Sequence, residues 1–112
     1  MIKFTILGCG SSMGVPRADG NWGKCDPNEI KNFRTRCSAI IQTKKRNILI
    51  DTSPDLRFQF IKNKIENIDT VLYSHMHGDQ VHGINDLRIF ALKNANKIPV
   101  YADKLTKKYL LK

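Results

Sequence analysis

Hydrophobic and polar residues follow two periodicities along this chain, and the short one predicts strands. Alternating or continuous apolar runs bounded by glycine or charged residues are typical of β-strands. Two of these runs are separated only by Lys44-Lys45-Arg46, which predicts a β-hairpin. The predicted strands are 2–7, 37–43, 47–51, 69–74 and 98–101.

The longer periodicity predicts helices between and after these strands. Ser53-Pro54-Asp55 has the features of a helix start, with serine as N-cap, proline in the first turn and an acid near the positive end. Leu56, Phe60 and Ile61 then face one side. The other predicted helices are 86–94, with Leu87, Phe90 and Ala91 inward, and 103–111. Alternating strands and helices predict an α/β fold.

The connection from Gly8 to about Asn32 is rich in glycine and predicts no regular element. Loops of this length are uncommon in compact domains and usually have a function. We therefore expect this segment to contribute to a site. Its glycines are expected to form tight turns that bring the loop close to that site; they are Gly8, Gly10 and Gly14.

All the histidines of the chain lie just after the predicted strand 69–74. They are His75, His77 and His82, and Asp79 lies between them. A loop that leaves a strand can aim His75 and His77 at a common point, and imidazole with carboxylate is the ligand set that zinc, manganese or iron prefers. The leading interpretation is a metal site, and the alternative is a polar, solvated loop.

Three sequence blocks carry a family resemblance. Residues 75–88 read H-M-H-G-D-Q-V-H-G-I-N-D-L-R, which resembles the signature H-x-H-x-D-H and its extension H-G-x-x-D-L-R. Residues 7–38 contain L-G-C-G-S-S-M-G-V-P-R, W-G-K-C-D-P and K-N-F-R-T-R-C-S, and residues 49–57 read L-I-D-T-S-P-D-L-R. In this order the blocks resemble hydrolases of the metallo-β-lactamase fold, in the branch with ribonuclease Z and the cyclic-phosphate phosphodiesterase of phosphonate breakdown.

The resemblance implies the fold. Family members are four-layer αββα sandwiches, in which two β-sheets pack face to face between helices and metals bind at one edge. They are about twice as long as this chain and take another histidine, a bridging aspartate and a last histidine from beyond its span. Residues 1–112 are therefore expected to form the N-terminal half of such a sandwich, as one truncated domain.

The resemblance also implies a function. The expected activity is that of a metal-dependent hydrolase, of phosphodiesterase type, acting on a phosphate ester with up to two zinc or manganese ions. The implied metal ligands are His75, His77, Asp79 and His82, with Asp79 also a catalytic group. Gln80 stands where the signature has its last histidine, and an amide oxygen is a poor ligand for a transition metal. Metal binding at the second position is therefore expected to be weaker, with His82 or Gln80 as the candidates to replace the missing histidine ligand.

Further residues are candidates for roles around this site. Asp51, at the end of its strand, can orient a ligand histidine and is the second candidate catalytic residue. The alternative is that its carboxylate caps the following helix. Candidate arginines for holding substrate oxygens are Arg17, Arg34, Arg36 and Arg88. For Arg88 the alternative is an ion pair with Asp86 or another local acid.

Charge and cysteine content indicate the kind of partner and the cellular compartment to expect. Nineteen basic residues against 10 acidic ones give a net charge of +9, which suits a phosphate-bearing substrate or nucleic acid. The alternative is a set of dispersed lysines on solvated surfaces. The cysteines, Cys9, Cys25 and Cys37, form no C-x-x-C pair and predict reduced thiols in the cytoplasm. They are expected to be small buried hydrophobes, with metal contact by Cys25 or Cys37 as the alternative. No segment predicts a secretory signal or a membrane span.

Half of a sandwich would leave the inner apolar face of its sheet in water, and a patch of that size is rare on monomers. We therefore expect a partner that covers it, either a second copy in a homodimer or a separate chain that supplies the missing half. Two alternatives to an enzyme remain open. One is an inactive remnant of a truncated or split gene, and the other is an RNA-binding fragment.

Overall fold

The computed structural model describes residues 1–112 and is built on a five-stranded sheet of order β1-β2-β3-β4-β5. The strands are β1 (Lys3–Gly8), β2 (Ser38–Gln42), β3 (Asn47–Ile50), β4 (Thr70–Leu72) and β5 (Val100–Tyr101). The first three are antiparallel neighbours, whereas β3, β4 and β5 run parallel. The five predicted strands and the hairpin are confirmed. The turn of the hairpin is closed by a 2.9 Å hydrogen bond from Thr43 N to Arg46 O.

Helices form the connections between the parallel strands β3, β4 and β5, and one further helix follows β5. They are α1 (Leu56–Lys62), α2 (Gly78–Val81), α3 (Arg88–Asn94) and α4 (Lys104–Leu110). The predicted helix 86–94 is preceded by a 3₁₀ turn at Ile84–Leu87, and a second 3₁₀ turn occupies Ile30–Asn32. None of these helices has the length and apolar character that crossing a bilayer would require.

The predicted start of α1 is wrong by two residues. Its N-cap is Asp55, and Ser53 instead uses its hydroxyl in the preceding turn, where it accepts from Asp55 N at 3.0 Å and donates to Arg36 O at 3.3 Å. The expected inward position of Ile61 is also wrong, because 64% of its surface is exposed. Successive helical residues point about 100° apart, so only Phe60 of this adjacent pair faces the core.

The core lies between the helices and one face of the sheet. Ile40, Leu49 and Val71 point from the three central strands into it and are completely buried. Phe60 of α1 and Phe90 of α3 cover them, with ring centroids 5.5 Å apart. Burial of these side chains supplies the main driving force for this layer.

The opposite face of the sheet is also apolar, and no element of the chain covers it. Residues directly opposite on neighbouring strands share a face, so the pairs Phe4–Ile41 and Ile41–Ile48 lie on the same side. We call this surface the open face. It comprises Phe4, Ile6, Ala39, Ile41, Ile48, Ile50, Leu72 and Tyr101. A sheet that is apolar on both sides with helices on one side is one half of an αββα sandwich, as predicted.

The loop after β1 contains no strand or helix before Ile30, as expected. Isolated bridges hold it to the segment before β2, joining Gly10 to Arg36 and Val15 to Arg34. Position 8 requires glycine because the backbone of Arg36 lies close to it, and a Cβ there would be 2.2 Å from Arg36 O. Gly14 has a φ of +86°, the left-handed conformation expected of a tight turn.

The three cysteines are free thiols, as predicted. Their expected burial is wrong for Cys9 and Cys25, which are exposed, while Cys37 is half-buried. Cys9 and Cys25 both belong to the long loop after β1, which has little of the core to pack against.

Candidate metal site

The ligand loop, which we define as residues 73–83, leaves β4 and carries all three histidines. The rings of His75 and His77 lie edge to face with centroids 4.6 Å apart. Both side chains are exposed, so the two imidazoles are adjacent and accessible at the end of the strand.

A hydrogen-bonded chain connects His75 to the interior. Asp51, at the end of β3, is buried and adopts a φ of +62°. Its carboxylate accepts from Ser74 N at 2.7 Å and from Ser74 Oγ at 2.6 Å. Ser74 Oγ lies 2.9 Å from His75 Nδ1. Asp51 therefore faces the ligand loop, and the alternative that it caps α1 is wrong because Asp55 is the N-cap.

The hydrogen bonds from Asp51 through Ser74 to His75 determine which ring nitrogen of His75 is available to a metal ion. A hydroxyl has one hydrogen, and Ser74 donates it to the Asp51 carboxylate, so its oxygen can only accept from His75 Nδ1–H. Nε2 then carries the lone pair that a metal ion would bind. Ligand histidines usually donate their other nitrogen in this way, which orients the ring and raises its basicity.

Thr52 fixes the far end of the ligand loop. It donates from its backbone N to Gln80 O at 2.7 Å and accepts from Gly83 N at 3.0 Å. Its hydroxyl also contacts Tyr73 OH at 2.8 Å, where burial raises the pKa of the phenol. A Cβ on Gly83 would lie 1.9 Å from Ser53 O, so only glycine allows this approach. The local pattern around Ser53 indicates only a helix start, and nothing in it points to this anchoring of the ligand loop.

A polar cavity of about 470 Å³ adjoins the histidines and is lined by Ser12, Arg36, Pro54, His77, Gly78, Asp79 and His82. The structure thus brings together His77, Asp79, His82 and Arg36, four of the predicted site residues. The ring of His82 packs on Gly78, where a Cβ would lie 2.8 Å from its Cε1.

Asp55 holds Arg36 in place. Its carboxylate accepts from Arg36 Nε at 2.9 Å, from Nη2 at 2.8 Å and from the backbone N at 2.9 Å. These hydrogen bonds lower the pKa of Asp55 and raise the pKa of Arg36. The edge of the guanidinium formed by Nη1 and the second hydrogen of Nη2 remains for another ligand.

The other candidate arginines do not converge on this cavity. Arg17 lines a neighbouring cleft that shares Ser12 with it. Arg34 lines a cleft beside β1 and α1, and Arg88 lines a groove between α1 and α3. Arg88 does not form the alternative ion pair with Asp86 or with another acid, because Arg36–Asp55 is the only ion pair in the structure.

Gln80, at the position of the signature's last histidine, contacts Cys37. Its side chain is 5% exposed, and its Nε2 donates to Cys37 Sγ at 3.0 Å. Its Oε1 is buried and has no hydrogen-bond partner. The Cys37 thiol, whose pKa is raised mainly by burial, donates to Asp79 Oδ2 at 3.8 Å. The departure at Gln80 is visible in the sequence, but its contact with Cys37, 43 residues earlier, is not.

These residues fit part of a metal site. No group of three or more His, Cys, Asp or Glu side chains converges tightly enough to hold an ion jointly. His75 and His77 offer two imidazoles, whereas a catalytic zinc usually has three protein ligands. The chain therefore offers an incomplete set of candidate metal ligands, at the edge of the sheet where β4 ends.

With this geometry in place, comparison with known proteins defines the class: the chain belongs to the family described as "Beta-lactamase superfamily domain", whose model matches residues 46–112. It is 38% identical over 103 residues to the octanoyltransferase of Porphyromonas gingivalis, covering 91% of this chain and 20% of that protein. It is 26% identical over 100 residues to ribonuclease Z of Clostridium kluyveri, covering 88% of this chain and 27% of that protein.

Solved structures agree with the fold. A diphosphatase from the PhnP family superposes with a TM-score of 0.89 and 33% identity, over 98% of this chain and 45% of that one. Zn²⁺-bound PqqB from Methylobacterium extorquens superposes with a TM-score of 0.75 and 22% identity, over 99% of this chain and 40% of that one. The predicted family and fold are confirmed, and the chain spans less than half the length of these relatives.

Proposed function

We propose that this chain forms the histidine-bearing half of a metal-dependent hydrolase that cleaves a phosphate ester. The particular activity that we propose is that of a phosphodiesterase. The observation that carries the proposal is the Asp51–Ser74–His75 chain, which leaves Nε2 of His75 free beside a second imidazole. The similarity to a diphosphatase and to ribonuclease Z supports phosphate chemistry.

His75 and His77 would hold one zinc or manganese ion, and Asp79 with His82 would contribute to a second position. A divalent ion there would supply Lewis-acid activation of a water molecule. Arg36 adds a fixed positive charge to the cavity wall, and its free guanidinium edge would donate hydrogen bonds to a phosphoryl oxygen. Asp55 maintains the orientation of that guanidinium while substrates bind and leave.

Completion of the site requires the second half of the sandwich. The open face is where a second sheet would pack, and we propose that a second copy of the chain, a separate chain or a continuation of this one covers it. Covering several hundred Å² of apolar surface at about 25 cal/mol per Å² is worth on the order of 10 kcal/mol. That sum is comparable to the whole stability of a small domain.

Calorimetric titration of the purified chain with zinc or manganese tests the first step. We expect weak, substoichiometric binding, because two imidazoles leave half of a tetrahedral shell to water. The His75→Ala/His77→Ala variant should lose binding at the position that these two imidazoles form, whereas Lys44→Ala, in the distant hairpin turn, should retain it. Tight binding of two equivalents, or a binding isotherm that loss of both histidines leaves unchanged, would overturn the assignment of ligands.

Hydrolysis of a model phosphodiester with added metal tests the reaction itself, in the chain alone and after its second half has been supplied. We expect little turnover by the chain alone and metal-dependent turnover by the completed site. Turnover unaffected by His77→Ala would overturn the proposal. Retention of RNA without hydrolysis would favour the binding-fragment alternative.

A further inference from the structure

Two polar groups, one in the ligand loop and one in contact with it, have no role in the proposal above. The first is the thiol of Cys37, which precedes β2 and contacts both Asp79 and Gln80. The second is Oε1 of Gln80, a buried amide oxygen without a hydrogen-bond partner. Buried polar groups in native structures are nearly always paired, so an unpaired one requires a structural or functional explanation. Both groups lie where the family signature places its last histidine.

The spacing of the donors fits a metal ion. Zinc binds thiolate sulfur at about 2.3 Å and carboxylate oxygen at about 2.0 to 2.2 Å, so two such donors at a tetrahedral angle lie about 3.6 Å apart. Cys37 Sγ and Asp79 Oδ2 are separated by 3.8 Å. A direct S–H···O hydrogen bond at this distance is weak, and an ion between the two atoms would need only a small adjustment. The Gln80 Nε2–H group already points at the sulfur, as a donor that stabilises a thiolate would.

We propose that Cys37 is a metal ligand at the second position, where with Asp79 it replaces the imidazole that Gln80 does not provide. This inference rests on the proposed function, because it requires an ion at that position. Gln80 acts as a positioning residue, whose amide N–H holds the sulfur. A thiolate ligand selects zinc over manganese, since soft sulfur suits zinc and manganese prefers oxygen ligands. On binding, the thiol proton is released to solvent.

Cobalt substitution tests this directly, because a thiolate bound to Co²⁺ gives an intense sulfur-to-metal charge-transfer band that imidazole and carboxylate do not give. We expect this band when the full chain is titrated with Co²⁺. Cys37→Ser should abolish it and weaken zinc binding at this position, because the thiolate that zinc binds is lost. The matched controls are Cys9→Ser and Cys25→Ser, which remove exposed thiols and should leave the band intact.

Protection from alkylation gives a second measurement that does not depend on a variant folding. Zinc should slow the reaction of Cys37 with iodoacetamide, read by mass spectrometry, while Cys9 and Cys25 continue to react. A cobalt spectrum without the charge-transfer band, or equal alkylation of Cys37 with and without zinc, overturns the role of Cys37 and leaves the histidine site standing. Absence of any cobalt binding overturns both this inference and the proposed function.

Discussion

Replacement of Ser74 by alanine would test the link between Asp51 and the proposed ligand His75. The change removes the hydroxyl that joins Asp51 Oδ2, at 2.6 Å, to His75 Nδ1, at 2.9 Å. Asp51 keeps the bond from Ser74 N at 2.7 Å, so the buried carboxylate loses one of two donors. His75 loses the acceptor that orients its ring and holds the hydrogen on Nδ1.

The expected size of the effect follows from that geometry. A hydrogen bond to a charged group contributes about 1.5 to 3 kcal/mol, and loss of an outer partner of a ligand histidine weakens metal binding about 10- to 100-fold. The second figure corresponds to about 1.4 to 2.7 kcal/mol of metal-binding free energy, whereas the first is a contribution to folding stability. We therefore expect Ser74→Ala to lower zinc affinity by one to two orders of magnitude.

Isothermal titration with zinc measures the affinity, and nitrogen NMR of the imidazoles reports which ring nitrogen of His75 carries the hydrogen. Ser74→Thr is the matched control, because it keeps a hydroxyl at the same position and should restore both the affinity and the Nδ1–H form. The reasoning is refuted if Ser74→Ala binds zinc as tightly as the unmodified chain, or if His75 carries its hydrogen on Nε2 in the unmodified chain.

Three further results are expected. Gln80→His should raise zinc affinity at the second position by calorimetry, and an unchanged affinity would exclude position 80 from the ligand shell. The pKa of Asp55 is lowered by Arg36, so its stabilisation is present above the unfolded value of about 3.9 and lost as pH falls through the folded value. Asp55→Asn should therefore lower the free energy of unfolding by about 1 to 3 kcal/mol at pH 7. Thermal melts should show this deficit disappearing as the pH falls through the folded pKa of Asp55, and a pH-independent deficit would contradict the reasoning. Sedimentation should find the purified chain self-associated through the open face, and Ile41→Lys/Ile48→Lys should shift it toward monomer; a compact monomer without these changes would refute the proposed cover.

Local pattern is sufficient to predict the strands and the longer helices, but it predicts neither all of their ends nor the short helix α2, which lies within the expected loop. The hairpin around Lys44-Lys45-Arg46 needs only its own two strands, so local pattern predicts it. The start of α1 was predicted at Ser53, because serine followed by proline and an acid satisfies the local rules for a helix N-terminus. Tertiary contacts override those rules here, since Ser53 bonds to Arg36 O and the Asp55 carboxylate is taken by the Arg36 side chain.

The sequence by itself determined the family, the strands and the ligand-bearing segment, because each depends on residues that are close together in the chain. His75, His77 and Asp79 lie within five positions, and strand periodicity places them at the end of β4. Only the tertiary structure decided which distant groups act on them. It brought Asp51 to Ser74 and Cys37 to Gln80, and it separated Arg17, Arg34 and Arg88 from the cavity that Arg36 lines. The physical reason is that such contacts depend on strand order and register, which local periodicity does not encode.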